Sequence, residues 1–299
     1  MVINMRKVAT SSPYTWIMED FFKGKFIRTY KRTGFHGYKR YLPLKSIYTL
    51  LDTTNIKHPR FLRNRLSYVD VEFIEGRNID NEFDRNKLLN IFCSTVIELS
   101  KINYSSVLKH LPYLDNTGFY NDNIKNLVLV MDKLSNYQTF ERIGLRKDMI
   151  VSLASIELDN TRPMVFIHGD FNIGNIIERN NEFYIIDWEL ATVGDIAYEI
   201  ALHLVLVTYS EEQRNQIFER VAQALNVDKE ILIRDVNTYI RFEMTRRCFL
   251  KMNRAINLAR RGKPFDDMLL DAYKYYTGIC KNKILLDDIR ATLRDLYKG

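Results

Sequence analysis

The chain has 299 residues, 44 Lys plus Arg against 37 Asp plus Glu, and 46% hydrophobic residues, so it combines an ordinary globular composition with a formal charge of +7. Only 12 Gly and 6 Pro accompany that apolar content, which excludes a collagen-like or largely disordered chain, and the length excludes a disulfide-stapled miniprotein. Two domains, or one two-lobed unit with an extensive core, fit the length.

The N-terminal MVINMRKVATSSPYTW lacks the apolar run of a secretory signal. No stretch approaches the roughly 18 apolar residues that cross a bilayer. A cytoplasmic setting is expected, and with it a sequon at Asn103, Tyr104 and Ser105 that carries no sugar. Cys93, Cys248 and Cys280 are odd in number and widely spaced, and are expected to be reduced core thiols.

Up to about residue 80 the chain runs in short alternating segments; from Phe83 onward apolar residues recur at three- and four-residue spacing. A strand-rich part therefore precedes a helical one. Tyr14 to Glu19 and Lys25 to Lys31 read as strands around a turn at Lys23, Gly24 and Lys25, and Tyr68 to Ile74 as another. Leu44 to Leu51 reads as a short helix between them. Leu88, Leu89, Phe92, Val96 and Leu99 share one helical face, and Leu127, Val128, Met131 and Leu134 another. A β island follows: Met164 to Ile167, then Ile176 to Glu178 and Phe183 to Ile186 around an Asn180, Asn181 turn. Helices resume at Asp195 and at Ser210, where Ser210 and Gln213 fit a capping box.

The chemistry concentrates in that island, in HGDFNIGN (His168 to Asn175) and IIDWE (Ile185 to Glu189). Any β-turn attracts Gly, Asn and Asp, but here Asp170 ends one strand, Asn175 returns five residues later, and Asp187 ends another. Two carboxylates and an amide oxygen make a hard-oxygen site suited to Mg²⁺, usually completed by substrate phosphates. That order and spacing reproduce the catalytic loop and metal ligands of the kinase fold.

The segment VFIHGDFNIGNIIERNNEFYIIDWELATVGDIAYEIA resembles the aminoglycoside phosphotransferase and choline kinase superfamily of small-molecule kinases. The likeness is strong from Val165 to Ala201 and fainter from Lys25 to Arg77. It implies an α+β, two-lobed protein-kinase-like fold, with a small β-rich lobe over 1–76 that binds nucleotide and a large helical lobe over 77–299 that carries the catalytic loop and acceptor site. ATP or GTP and Mg²⁺ would sit between them. Asp170 would be the catalytic base, Asn175 and Asp187 the Mg²⁺ ligands, and His168 and Asp195 structural supports of the loop. Glu189 could reach the metal or its water. FIRTYKR resembles the strand that offers a cation to the phosphates, which nominates Arg28, with Lys31 as competitor on the opposite strand face. The turn from Ala9 to Pro13 lies where the family covers the phosphates, so Ser11 and Ser12 would donate hydrogen bonds there. VEFIEGR resembles the hinge, where Phe73 and Ile74 would meet the base.

Two departures stand out. KRYLPLKSIYTLL holds no Glu to pair the phosphate cation, and the Ala9 to Pro13 turn has no glycine. They leave a nucleotide-binding pseudokinase as the non-enzymatic alternative to phosphoryl transfer onto a small hydroxyl-bearing metabolite. From Arg241 to Lys263 eight basic residues face Glu243 alone. Lining an acceptor pocket, with Arg246, Lys251, Arg254 and Arg261 on one face, they would attract an anionic substrate and repel an aminoglycoside, the acceptor of the antibiotic-phosphorylating alternative. The same stretch suits contact with an anionic membrane surface. No helix-turn-helix, RNP or zinc motif argues for nucleic acid. Tyr273, Tyr275, Tyr276 and Trp188 are the candidates for an aromatic cage around a choline-like cation.

Overall fold

The computed structural model describes residues 5–12, 15–20, 24–30, 39–132, 137–154, 156–280 and 284–297. Its first sheet is antiparallel, with strands β1 (Met5–Ser12), β2 (Thr15–Asp20), β3 (Gly24–Tyr30), β4 (Phe61–Asn64) and β5 (Tyr68–Glu72) in the order β1-β2-β3-β5-β4. The β2–β3 hairpin closes at Gly24, whose φ of 68° suits a residue without Cβ. Lys23 lies outside the described residues. Helix α1 (Leu44–Leu51) has the bounds expected from its sequence. It starts after Pro43 and buries Ile47, Tyr48, Leu50 and Leu51.

The chain leaves the first sheet at Glu72 and joins a second at β6 (Arg77–Asn78). Gly76 makes that crossing possible, because a Cβ there would lie 2.5 Å from the Glu178 carbonyl oxygen. Helix α2 (Arg85–Leu99) is capped by the Asp84 carboxylate and buries Leu88, Leu89, Phe92, Val96 and Leu99. Helix α3 (Asn116–Asp132) buries Leu127 and Met131, while Leu134 lies outside the described residues. Two short helices, α4 (Tyr137–Arg142) and α5 (Asp148–Val151), lead to the fully buried strand β7 (Val165–Ile167).

Strands β8 (Ile176–Arg179) and β9 (Glu182–Ile185) complete the second sheet, in the order β6-β8-β9. Asn180 and Asn181 join them at φ 53° and 62°. Two left-handed residues form the turn whose twist matches a hairpin, and Asn tolerates that region best after Gly. The three-residue strand β10 (Thr192–Gly194) pairs with β7. Helix α6 (Ile196–Leu206) is buried on every side from Ile196 to Leu204, as an almost wholly apolar helix must be. Around it stand α7 (Glu211–Leu225), which opens with the Ser210–Gln213 capping box, then α8 (Lys229–Arg260), α9 (Asp266–Ile279) and α10 (Leu286–Leu296). Cys93, Cys248 and Cys280 are buried and unbridged. Among the described residues no helix is long and apolar enough to cross a membrane.

Candidate active site

Strand β7 is buried along its whole length and delivers the His168–Gly169–Asp170 segment to one end of the core. The His168 ring is held at both nitrogens. Nε2–H donates to the Ile186 carbonyl (2.9 Å) and Nδ1 accepts from the Asp170 N–H (3.2 Å). Burial holds its pKa down to about 4, so the ring is neutral and its tautomer is set by these partners. Gly169 has φ 78°, and a Cβ there would lie 2.5 Å from the Leu190 carbonyl oxygen, so the position admits only glycine.

From beneath, α6 grips the same segment. Glu199 accepts from the Gly169 N–H (2.8 Å), and His203 donates from Nδ1 to the Phe171 carbonyl (3.0 Å). His203 also accepts from the Tyr209 hydroxyl (2.8 Å) and stacks on Phe92 at 3.9 Å. Neither residue was picked out in the sequence. Their signal was there to find: Glu199 and His203 sit four residues apart in the apolar run IAYEIALHLVL, where a polar side chain must have a buried partner.

Burial pushes the Glu199 carboxyl up to about 8, whereas the unfolded value is about 4.5. A raised acid pKa gives stability that is complete below the unfolded pKa and is lost as pH rises through the folded one. Between pH 6.5 and 8 the melting temperature should therefore fall, with a loss of about 2 kcal/mol at about 1.4 kcal/mol per pH unit. Glu199→Gln, which keeps an acceptor for the Gly169 N–H, should flatten that limb. A wild-type melting temperature that is constant over this range would refute the assignment.

Asp170 follows, half-buried. Asn175 Nδ2 donates to its carbonyl (2.8 Å) and to its Oδ2 (3.3 Å), and Asn172 Nδ2 donates to the same carbonyl (3.1 Å). Burial raises the Asp170 pKa, and Arg247, Asn172, Arg246 and Asn175 pull it back. With its amide hydrogens on Asp170, Asn175 has Oδ1 left for a cation. Asp187 is exposed and left-handed, with φ 62° and ψ 50°. Asn175, Asp187 and Glu189 form the polar wall of a cleft of about 470 Å³ between the first sheet and the helical part. The opposite wall is largely apolar, with Ile27, Val69, Val71, Phe73 and Ile74 beside Thr15, Thr29 and Glu72. Two carboxylates and an amide oxygen, with no thiol or imidazole on that wall, fit a hard divalent cation such as Mg²⁺. Glu189 is ion-paired with Arg40.

Three expectations need correction. Arg28 does not face the cleft. Ile27 and Thr29 do, so strand alternation turns Arg28 to the other face of the sheet. There its guanidinium is buried on Asp70 at 2.7 and 2.8 Å and lies 3.9 Å over the Tyr68 ring. Residue 31 shares the parity of Ile27 and Thr29, but Lys31 lies outside the described residues. Among the described residues no hydrogen bond joins Asp195 to the catalytic loop directly, and any support it gives runs through α6. It caps α6 through the Ala197 N–H (2.9 Å) and holds Arg162 at 3.0 and 2.7 Å, with Asp235 on the same guanidinium at 2.9 Å. Direct support of the loop comes from Glu199 and His203, on the helix that Asp195 caps. Ser11 and Ser12 belong to β1, whose Ser12 pairs with Thr15, and not to a turn. Their side chains and Pro13 lie outside the described residues.

The basic stretch also divides. Arg246 and Arg247 turn inward onto Glu243, at 2.6 and 3.4 Å, and Lys251 pairs with Asp271. Arg254, Arg260 and Arg261 are exposed, so Arg246 and Arg254 do not share a face. Trp188 is buried 4.4 Å from His168, and Tyr273 stacks on Tyr276. Among the described residues no ring contact links Trp188 to those tyrosines. Beside Gly169 lies a different corner, a small cavity lined by Lys39, Tyr41, Phe119, Tyr198 and Arg246. At its edge, Asp122 accepts from the Tyr41 hydroxyl (2.6 Å) and from the Lys39 ammonium (2.9 Å).

Comparison with known proteins agrees with this architecture. A curated relative, Protein LicA homolog of Metamycoplasma hominis, is 25% identical over 177 residues, which are 58% of this chain and 67% of that protein. An ethanolamine kinase from Plasmodium vivax superposes with a TM-score of 0.66 at 17% identity, over 96% of this chain and 83% of that one. The GDP and kanamycin complex of an APH(2″) enzyme superposes at 0.59 with 12% identity, over 97% and 94%. At these identities the two structures establish a shared kinase-like fold. The model of the phosphotransferase enzyme family matches residues 62–231, more than half of the chain and all of the His168–Glu189 region, and the protein belongs to that family of small-molecule phosphotransferases.

Proposed function

We infer that the chain transfers the γ-phosphate of ATP or GTP to the hydroxyl of a small, singly charged amino alcohol. One observation carries the reading: the Asn175 amide ties Asp170 to the cleft wall that also presents Asp187. In this reading the chain divides at Gly76 into a nucleotide-binding lobe, 1–76, and a catalytic and acceptor lobe, 77–299. Phe73 and Ile74 flank the base, and Asn175 Oδ1 and Asp187 hold Mg²⁺. The bound ion would neutralise charge on the transferred phosphoryl group. Asp170 orients the acceptor hydroxyl and takes its proton. His168, Glu199 and His203 keep that carboxylate in place, so no reorganisation is needed as charge develops.

The acceptor class rests on the corner beside Gly169. Asp122, next to the Tyr41 ring, is a carboxylate with an aromatic neighbour, which suits one ammonium group. The names of the relatives point the same way, to an ethanolamine kinase and a LicA homolog. An aminoglycoside carries several ammonium groups and would need several carboxylates, and among the described residues this corner presents one, Asp122. The inward pairing of Arg246 and Arg247 weakens the case for an anionic acceptor. The intact Asp170, Asn175 and Asp187 set argues against a pseudokinase.

Labelled γ-phosphate transfer from ATP and from GTP into ethanolamine and pooled metabolites tests the reading. Asp187→Ala should lower Mg²⁺-dependent transfer by about 10²-fold or more. Wild-type turnover in that variant would remove Asp187 from the site.

A further inference from the structure

At the rim of the small cavity beside Gly169, the chain already seats an alkylammonium group of its own on a carboxylate. Lys39 Nζ lies 3.0 and 2.9 Å from the two Asp122 carboxylate oxygens and 5.0 Å from the centre of the Tyr41 ring. Charge-assisted hydrogen bonds to a carboxylate, next to an aromatic face, are also the way a free ammonium ion is recognised. Lys39 and Tyr41 line the cavity together with Gly169, the neighbour of the proposed base. We propose that Lys39 is a tethered stand-in for the ammonium group of the acceptor, displaced from Asp122 when the acceptor binds, and therefore a residue that sets specificity. The inference rests on the amino-alcohol reading of the same site.

Exposure decides whether displacement is feasible. The Lys39 side chain is 40% exposed and that of Asp122 18%. An ion pair this open to solvent is weak, and competing with it lowers acceptor affinity by at most about fivefold. Release of Lys39 leaves the corner standing, because Tyr41 keeps its 2.6 Å bond to Asp122 and Arg40 keeps its ion pair with Glu189. Selection follows from the exchange. An ammonium-bearing alcohol replaces the cation that Asp122 loses, whereas a neutral alcohol of the same shape offers nothing in return and leaves Lys39 in place.

The test compares ethanolamine with its neutral isostere propan-1-ol, each titrated by NMR into the full chain as wild type, Lys39→Met and Asp122→Asn. Lys39→Met keeps the apolar stem and removes the charge. It should bind ethanolamine about fivefold tighter, with propan-1-ol unchanged. Asp122→Asn should weaken ethanolamine about tenfold or more. Unaltered nucleotide affinity and melting temperature certify that each variant is folded. If the wild type binds ethanolamine and Lys39→Met binds it no tighter, the stand-in is overturned and the amino-alcohol reading survives. If no variant binds ethanolamine, both fall, and phosphoryl transfer as such is still judged by Asp170-dependent labelling of another acceptor.

Discussion

Asp170→Asn is expected to lower kcat by about 10²- to 10⁴-fold, the range attributable to a positioned proton acceptor. The substitution preserves shape and changes one property, since an amide cannot take the proton of an attacking hydroxyl. Asn175 makes its shorter bond to the Asp170 backbone carbonyl (2.8 Å), which the variant retains. The loop should therefore stay folded, and Mg²⁺-nucleotide affinity should change by less than about threefold, the effect of one lost surface-type charge interaction. Rapid-quench measurement of γ-phosphate transfer, beside a nucleotide titration, separates the two quantities. Unchanged kcat would exclude Asp170 as the base, and a collapse of nucleotide binding would assign it to the metal instead.

Arg162→Met should cost about 3–5 kcal/mol of stability, the penalty for stranding buried charge. The Arg162 guanidinium is buried between Asp195 and Asp235, with bonds of 2.7 to 3.0 Å. Asp235 would keep Arg234 at 2.8 Å, and Asp195 would keep its capping bond to Ala197 but no cation. Because burial already holds the Asp195 carboxyl above its ordinary range, mild acid should neutralise it and restore part of the loss. Urea unfolding at pH 7 and pH 5 reads both effects. A loss below about 1 kcal/mol at pH 7 would mean that the two carboxylates find other partners. Since Asp195 caps the helix that carries Glu199 and His203, catalytic activity should fall alongside stability.

Local rules explain which parts could be read from the sequence. The bounds of α1, the Asn180–Asn181 hairpin and the Ser210–Gln213 cap depend on residues next to one another in the chain, so their sequence patterns suffice. The order Asp170, Asn175, Asp187 was legible for a related reason: both segments end buried strands, and polar residues at strand ends gather at one edge of a scaffold. Arg28 failed because parity assigns a residue to one of two faces and does not say which face the cleft occupies. Strand β10 was missed because Thr192–Gly194 is as short as β7 but lacks the continuous apolar run that marks β7. Asp195 was nominated and Glu199 passed over because a helix N-terminus is legible in sequence, whereas only the packed structure shows that Glu199 reaches Gly169. The division of the basic stretch depends on where α8 meets the catalytic loop, a tertiary fact that helical spacing does not contain.

Gly169 lies against the Leu190 carbonyl with no room for a side-chain carbon. The two loops also meet where the Ile186 N–H donates to the Asn175 carbonyl and His168 donates to the Ile186 carbonyl, so the proposed base and metal carboxylate are parts of one block. Thermal motion of the strand-rich part over this block can change how a nucleotide is gripped without altering the distance across which a proton and a cation must cooperate. Diversification within such a frame is confined to the rim, where a side chain such as Lys39 can be exchanged to alter the acceptor while the reaction stays the same.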